Sequence, residues 1–363
     1  MQESEQWGPA RLPEEPPALI VHEEEPEEAE FPFSHLNGWI TPQPLFFRRN
    51  HFVYPSVDPE AWRLEVTGSV AKPLRLSLAD LQALGQVTQW TTLECSGNKR
   101  AYFDPPAEGT PWREGAIGHA EWGGVPLVHL LKLAGVRPGA VEVAFTGADE
   151  GEFEETGEQV HFARCLPLGE AARPDTLLAF TMNGQPLPFK HGAPLRLVVP
   201  GWYAMASVKW LTQIEVRREP FRGPFQVRDY VYLPRPGAYE RAVPVTTQKV
   251  NSAIAHPREQ VRLGPGPLVI RGAAWGGAQP LQRVEVSIDG GKRWVEARWV
   301  GPALRHSWRL WEVHTPPLRP GRYRILARAV DREGQTQPAS APWNAKGYGN
   351  NEMVPVSVTV ALA

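Results

Sequence analysis

The chain is poor in cysteine, with only Cys95 and Cys165 among 363 residues. Two thiols so widely spaced fit no metal-finger pattern and close one disulfide at most, which excludes a scaffold built on disulfides. Long apolar runs are missing as well, and no stretch reaches the length of a membrane span. The opening MQESEQWGPARLPEEPPALIVHEEEPEEAEF lacks the basic and apolar regions of a secretory signal, and it has no twin arginine. With Met1 as the native start the expected location is cytoplasmic; with a signal removed ahead of it, periplasmic. A formal charge of -2 gives no bias toward nucleic acid. Gly-x-Gly-x-x-Gly and the phosphate-loop lysine motif are absent, which argues against the common nucleotide enzymes. Cys-x-x-Cys-His is absent too, and no residues remain for a separate cytochrome or flavin domain, so neither haem nor flavin is expected in this chain.

What is there suffices for two cores. Hydrophobic residues make up 42% and charged residues 21%, an ordinary globular composition, and the length exceeds what one core usually organises. Residues 1–32 are rich in Glu and Pro and poor in aromatics, so they read as a solvated acidic tail rather than a docking arm. Residues 33–235 mix strand-like runs with short helices. AWRLEVTGSV alternates as a strand, SLADLQAL pairs Ser77 with Asp80 as in a capping box, and VPLVHLLKLAGV has helical spacing that ends on Gly135. APLRLVVPGW and VKWLTQIEVRR are further strand candidates. No β-α-β rhythm emerges, so the expected class is α+β. Residues 236–363 begin as a Pro-punctuated connection and continue as short alternating runs, with a hairpin turn at Asp289-Gly290-Gly291. This second unit reads as an immunoglobulin-like β-sandwich.

In the first unit, cationic groups stand beside aromatics and glycines. FFRRNHF holds Arg48, Arg49 and His51; CSGNKR holds Lys99 and Arg100; FKHGAPLRLVVPGWYAMASVKW holds Lys190, His191, Arg196 and Lys209. Gathered by the fold they would form a deep anion site, because guanidinium forks hold tetrahedral oxyanions through paired charge-assisted bonds. Scattered, they are plain surface charge. Cys95 has two readings also. It is either a packed small residue ending a strand or a thiolate favoured by Lys99 and Arg100, serving as nucleophile or soft metal ligand. Cys165 lacks a basic turn and reads as packed.

Taken together, FFRRNH, ECSGNKR, GTPWREGAIGHAEWGG, MNGQPLPFKHGAPLRLVVPGWYAMASVKW and PWNAKGYGNN resemble the sulfite oxidase family of molybdenum enzymes. The stretches run in family order from about residue 33 to the C-terminus. The resemblance implies an α+β molybdopterin domain at 33–235 and an immunoglobulin-like dimerisation domain at 236–363, hence a homodimer. It implies one molybdenum per chain, in Mo-molybdopterin, with Cys95 as the protein ligand. Phe47, Arg48, Arg49, Asn50, His51 and Asp149 would contact the cofactor; His191 and Arg196 would lie near the pterin and its phosphate, and Ser207, Val208 and Lys209 would line the same pocket. Arg49, Arg100, Trp112 and Tyr230 would form the substrate site. Lys346 stands where vertebrate sulfite oxidases have arginine and the family's nitrate reductases have methionine; lysine keeps the charge without the bidentate fork.

The reaction so implied is oxidation of sulfite, a small oxyanion, to sulfate, with electrons leaving to an external acceptor such as a c-type cytochrome or another carrier. One alternative is oxo transfer to or from nitrate, a sulfoxide or another sulfur compound on the same cofactor. A different class, a metal-free anion-binding protein, would use Cys95 and the arginines to hold a ligand.

Overall fold

The computed structural model describes residues 17–277 and 279–362. Two sheets build the first half. In one, Val87–Glu94 pairs antiparallel with Ile117–Pro126, which pairs in turn with Leu177–Met182. In the other, Leu211–Arg217 runs between a parallel neighbour, Leu64–Gly68, and an antiparallel one, Glu142–Phe153. Their apolar faces meet in one cluster that includes Leu64, Val66, Phe145, Leu197 and Ile214. Helix Leu127–Ala134 joins it through Leu127, Leu130, Leu131 and Ala134, the stripe expected of helical spacing, and Gly135 ends it in the left-handed conformation. The short helix Leu78–Gln82 carries the capping box that Ser77 and Asp80 predict. Three short α-helices beside many strands make the described residues mostly sheet.

The second half is a two-sheet sandwich. A four-stranded sheet contains Asn251–His256, Val269–Trp275, Arg309–His314 and Arg298–Val300. A five-stranded sheet is centred on Gly321–Asp331, flanked by Leu281–Ser287 and Val356–Val360. Ile270, Val284, Val286, Trp311, Ile325 and Val358 fill the space between them. At the expected turn, Asp289 Oδ1 accepts from the backbone N–H of Lys292 and of Arg293, while Gly290 and Gly291 supply the positive φ. The 236–250 connection folds back on the first half: Val243–Pro244 pairs with Val231–Tyr232.

The acidic segment departs from expectation. Residues 1–16 lie outside the described residues, but Ile20–Glu23 and Glu28–Glu30 form an antiparallel hairpin, and Glu28–Glu30 then pairs with Arg48–Arg49. Glu28, Ala29 and Glu30 are buried. The composition argument counted these carboxylates as solvated, whereas the fold gives them partners. Glu30 accepts from the backbone N–H of Arg113 and of Gly115, each at 3.0 Å, and lies 2.9 Å from His22. Hydrogen bonds to a buried carboxylate replace the water it loses.

His119 ties the halves together. Its Nδ1 lies 2.5 Å from the carbonyl oxygen of Trp39 and its Nε2 lies 2.9 Å from Ser307 Oγ, with the ring stacked against Trp90 and Trp308. Burial pushes its pKa down from 6.5 to about 4. Between those values the unfolded chain binds the additional proton, so this contribution is complete above pH 6.5 and is lost as pH falls toward 4. Over that range the free energy of unfolding should fall by up to about 3 kcal/mol on this account. Urea unfolding at several pH values checks it: His119→Gln should flatten the slope, and an identical slope in both proteins would refute the assignment.

Candidate functional site

Strand Val87–Glu94 delivers Cys95 to a turn closed by Asn98 N–H on the Cys95 carbonyl, 2.9 Å, and by Arg100 N–H on the Gly97 carbonyl, 2.9 Å. Gly97 lets the Arg100 guanidinium fold back over the turn, since a Cβ there would stand 2.8 Å from it and displace it. Cys95 Sγ accepts from Gly97 N–H at 3.4 Å. Lys99 adopts a left-handed backbone, φ 66°, and its side chain turns away from the thiol into the second half of the molecule. There its ammonium donates to Asn251 Oδ1 at 2.6 Å and to the carbonyls of Ser252 and Glu352 at 2.9 and 3.2 Å. This corrects the expectation that Lys99 favours a thiolate. Burial pushes the Cys95 thiol up, and the cations that oppose this are Arg49 and Arg100. Cys165 is a free, buried thiol beside Glu142, as its sequence context suggested, and no disulfide joins it to Cys95.

Cys95 lines an inner cleft. Of the sequence candidates, Phe47, Arg48, Arg49, Asn50, His51, Asp149, His191, Arg196, Ser207, Lys209 and Tyr230 line it with Cys95. Arg100 and Lys346 line an adjoining outer cleft of about 1180 Å³, which shares Arg49, Asn50 and His51 with the inner one. Two candidates line neither. Val208 faces the main core of the first half, and Trp112, buried, packs behind Cys95 and Phe47 in a separate apolar cluster. Trp112 thus supports the wall from behind instead of shaping the pocket directly. Lys346 is not a free cation: its Nζ lies 2.8 Å from Glu155 Oε1. Arg100 spends its Nε and Nη1 on the carbonyls of Lys346 and Thr110, at 3.2 and 3.0 Å.

Five residues that line the inner cleft each hold a buried polar atom without a partner: Arg48 Nε, Arg49 Nη1, Ser96 Oγ, Asp149 Oδ1 and Arg196 Nε. Buried polar groups are normally satisfied, so their gathering in one cleft marks a site built for a polar ligand. Arg196 is held by the carbonyls of His191 and Ser207, at 2.9 and 3.1 Å, over the face of Trp122. Burial draws its pKa down to about 9, which leaves it charged at neutral pH. His191 is pushed down to about 3 by burial and is therefore neutral. Its Nε2 lies 3.1 Å from the Gln43 carbonyl, which can only accept, so Nδ1 is left as an acceptor. Burial raises Asp149 and lowers Lys209, and the charge of each supports that of the other. His51 Nε2 lies 2.7 Å from Tyr230 Oη, and burial lowers the His51 pKa and raises that of Tyr230.

The chemistry of this donor set is specific. Cationic groups suit a phosphate, Asp149 Oδ1 and His191 Nδ1 can accept from a heterocycle's N–H, and one soft sulfur can ligate a metal. Among the described residues no three His, Cys, Asp or Glu side chains converge as a metal cage, so a metal at Cys95 would take its other ligands from a bound group.

Sequence reasoning missed the acidic partners. Glu27 pairs with Arg48 at 2.6 Å and with Lys190 at 3.1 Å, and Glu28 pairs with Arg49 at 3.5 Å. Nothing in their Glu-rich surroundings separates them from solvated charge. Ser96 and Asp229 were missed as well; adjacency to Cys95 and to Tyr230 was the available signal.

Fold and site define a molybdopterin-binding oxidoreductase. Residues 51–225 match the family model for the oxidoreductase molybdopterin binding domain, and residues 243–361 that for the Mo-co oxidoreductase dimerisation domain. The chain is 34% identical to sulfite oxidase of Arabidopsis thaliana over 94% of its own length and 95% of that protein's. It is 36% identical to mitochondrial sulfite oxidase of Rattus norvegicus, covering 95% of this chain and 66% of that protein, so it spans about two thirds of the rat relative. Among solved structures it is similar to the sulfane dehydrogenase SoxCD of Paracoccus pantotrophus, with a TM-score of 0.82, 31% identity, and coverage of 94% and 89% of the two chains. The chain belongs to the sulfite oxidase family of molybdenum enzymes.

Lys99→Met would remove the ammonium from the oxygens of Asn251, Ser252 and Glu352 and leave Gln337 Nε2 as the donor they share. A hydrogen bond to a charged group contributes about 1.5–3 kcal/mol, and we expect a total loss of about 2 kcal/mol. Denaturant unfolding measures it, and a loss below about 1 kcal/mol would show that the tie is not structural.

Proposed function

We propose that this protein oxidises sulfite to sulfate at a molybdenum ligated by Cys95 and carried by molybdopterin. The observation that carries the reading is one buried thiol sharing a cleft with five residues that hold unpartnered polar atoms. In this reading Arg196, Lys209 and Arg48 hold the cofactor phosphate, while Asp149, Asn50 and His191 meet the pterin. When bound, the cofactor supplies two-electron oxo transfer. The chain's own residues supply anion binding and proton handling. Arg49, which lines the cleft and has Nη1 unpartnered, holds the substrate oxyanion. Tyr230 and His51 share a hydrogen bond, so one proton can rest on Tyr230 Oη or on His51 Nε2. Burial of these walls excludes water and strengthens each charge interaction. Electrons then leave to an external acceptor, a c-type cytochrome or another carrier, and the second domain joins two copies into a homodimer.

The likeness to a sulfane dehydrogenase supports a second reading, oxidation of another reduced sulfur compound at the same site. Steady-state reduction of ferricyanide by molybdenum-loaded protein separates the two. Sulfite-dependent reduction is expected, and activity with thiosulfate or a sulfane but not with sulfite would reverse the order.

Two variants test the residue assignments. Cys95→Ser should fold normally yet lose turnover and hold less molybdenum by elemental analysis, because a hydroxyl is a poor ligand for a soft site. Full turnover in that variant would remove Cys95 from the metal. Arg49→Gln should raise the KM for sulfite roughly ten- to a hundred-fold, the value of a charge-assisted hydrogen bond of about 1.5–3 kcal/mol. An unchanged KM would show that Arg49 does not touch the anion.

A further inference from the structure

Arg49 has one cation's worth of attraction to offer, and part of it is already taken. Glu28 stands directly opposite Arg49 in the antiparallel pairing of the N-terminal hairpin with Arg48–Arg49. Its Oε1 lies 3.5 Å from Arg49 Nε, while its Oε2 accepts from the Thr110 hydroxyl. Glu28 is buried and the Arg49 side chain is 25% exposed, so water screens the pair only in part. Arg49 Nη1 is meanwhile buried without a partner, and the residue lines the inner cleft. The guanidinium thus faces an internal acid on one edge and is unsatisfied on another.

Glu28 is fixed by more than Arg49. Thr110, its hydrogen-bond donor, gives its carbonyl to Arg100 Nη1 at 3.0 Å, and Arg100 Nε reaches the Lys346 carbonyl at 3.2 Å. The acid therefore cannot swing away when an anion arrives without disturbing the loop that seats Arg100. A fixed negative charge beside the anion-binding cation repels the anion in proportion to the anion's charge.

We propose that Glu28 is a specificity-determining residue of the anion site: a built-in carboxylate that lowers affinity for dianions more than for monoanions and so favours release of a dianionic product. The inference rests on the sulfite-oxidising reading only for the identity of that product. Glu28 acts by its charge beside Arg49 and is not a catalytic residue.

The test is equilibrium titration of the metal-loaded protein with sulfate and with perchlorate, two tetrahedral anions that differ in charge, followed by isothermal calorimetry. Glu28→Gln keeps size and the contact with Thr110 while removing the charge. It should tighten sulfate by about tenfold or more and perchlorate by only about threefold, as a charge interaction at low effective dielectric scales with ligand charge. In turnover its KM for sulfite should fall while kcat does not rise. Glu28→Asp, which draws the carboxylate back and keeps its charge, should lie between, and it serves should Glu28→Gln not fold. Combining Glu28→Gln with Arg49→Gln should still tighten sulfate relative to Arg49→Gln alone, because the charge removed repels the anion directly. A purely structural role would loosen binding, so unchanged or weaker sulfate affinity in a folded variant overturns the proposal. If the wild type fails to oxidise sulfite, the reaction assignment falls while the titration still decides the role of Glu28.

Discussion

Lys99 carries its ammonium to a place with no exposure to solvent, and three oxygens from the second half of the chain meet it there. Burying an unpaired charge is costly, so this contact forms only when the turn and the sandwich are both in place. The turn is the one that bears Cys95. Two further ties reinforce it: Gly349 N–H donates to the Ser96 carbonyl at 2.7 Å, and Asn350 Nδ2 donates to the Lys99 carbonyl at 3.1 Å. The thiol is therefore positioned from below by the strand Val87–Glu94 and from above by a loop some 250 residues away in the chain. Arg100 belongs to the same joint, because its Nε hydrogen bond ends on the carbonyl of Lys346.

Around this joint the cleft combines cations with internal acids. Arg48 and Lys190 face Glu27, Arg49 faces Glu28, and Lys346 faces Glu155. Among the described residues no acid pairs with Arg196, which keeps its charge through carbonyl contacts and the face of Trp122. The inner end of the cleft is thus more electropositive than the outer. Field of that sense draws an anionic group inward and leaves a weaker hold near the mouth.

Much of this was legible beforehand, and the particular failures share a cause. Ser77 and Gly135 marked a helix start and a helix end because caps are local. The residues of FFRRNH and of the stretch ending at Lys209 were brought together as the resemblance implied, because long specific motifs carry their pairings with them. Lys99, Glu28 and Glu30 were misread or unassigned, since a charged residue is solvated or buried according to what the fold sets against it, and those partners lie far away in sequence. Trp112 was displaced by one layer: its neighbours in the chain fixed that it packs near Cys95, but not from which side.

Arg49, Asn50 and His51 form a common partition between two compartments, one on each face of three consecutive residues. A partition has no private side. A change that enlarges the outer compartment takes volume or charge from the inner one, so cofactor retention and substrate choice cannot drift independently at these positions. Variation in what such a chain accepts is therefore easier to obtain from residues that line only the outer compartment, such as Arg100, Glu155 and Lys346.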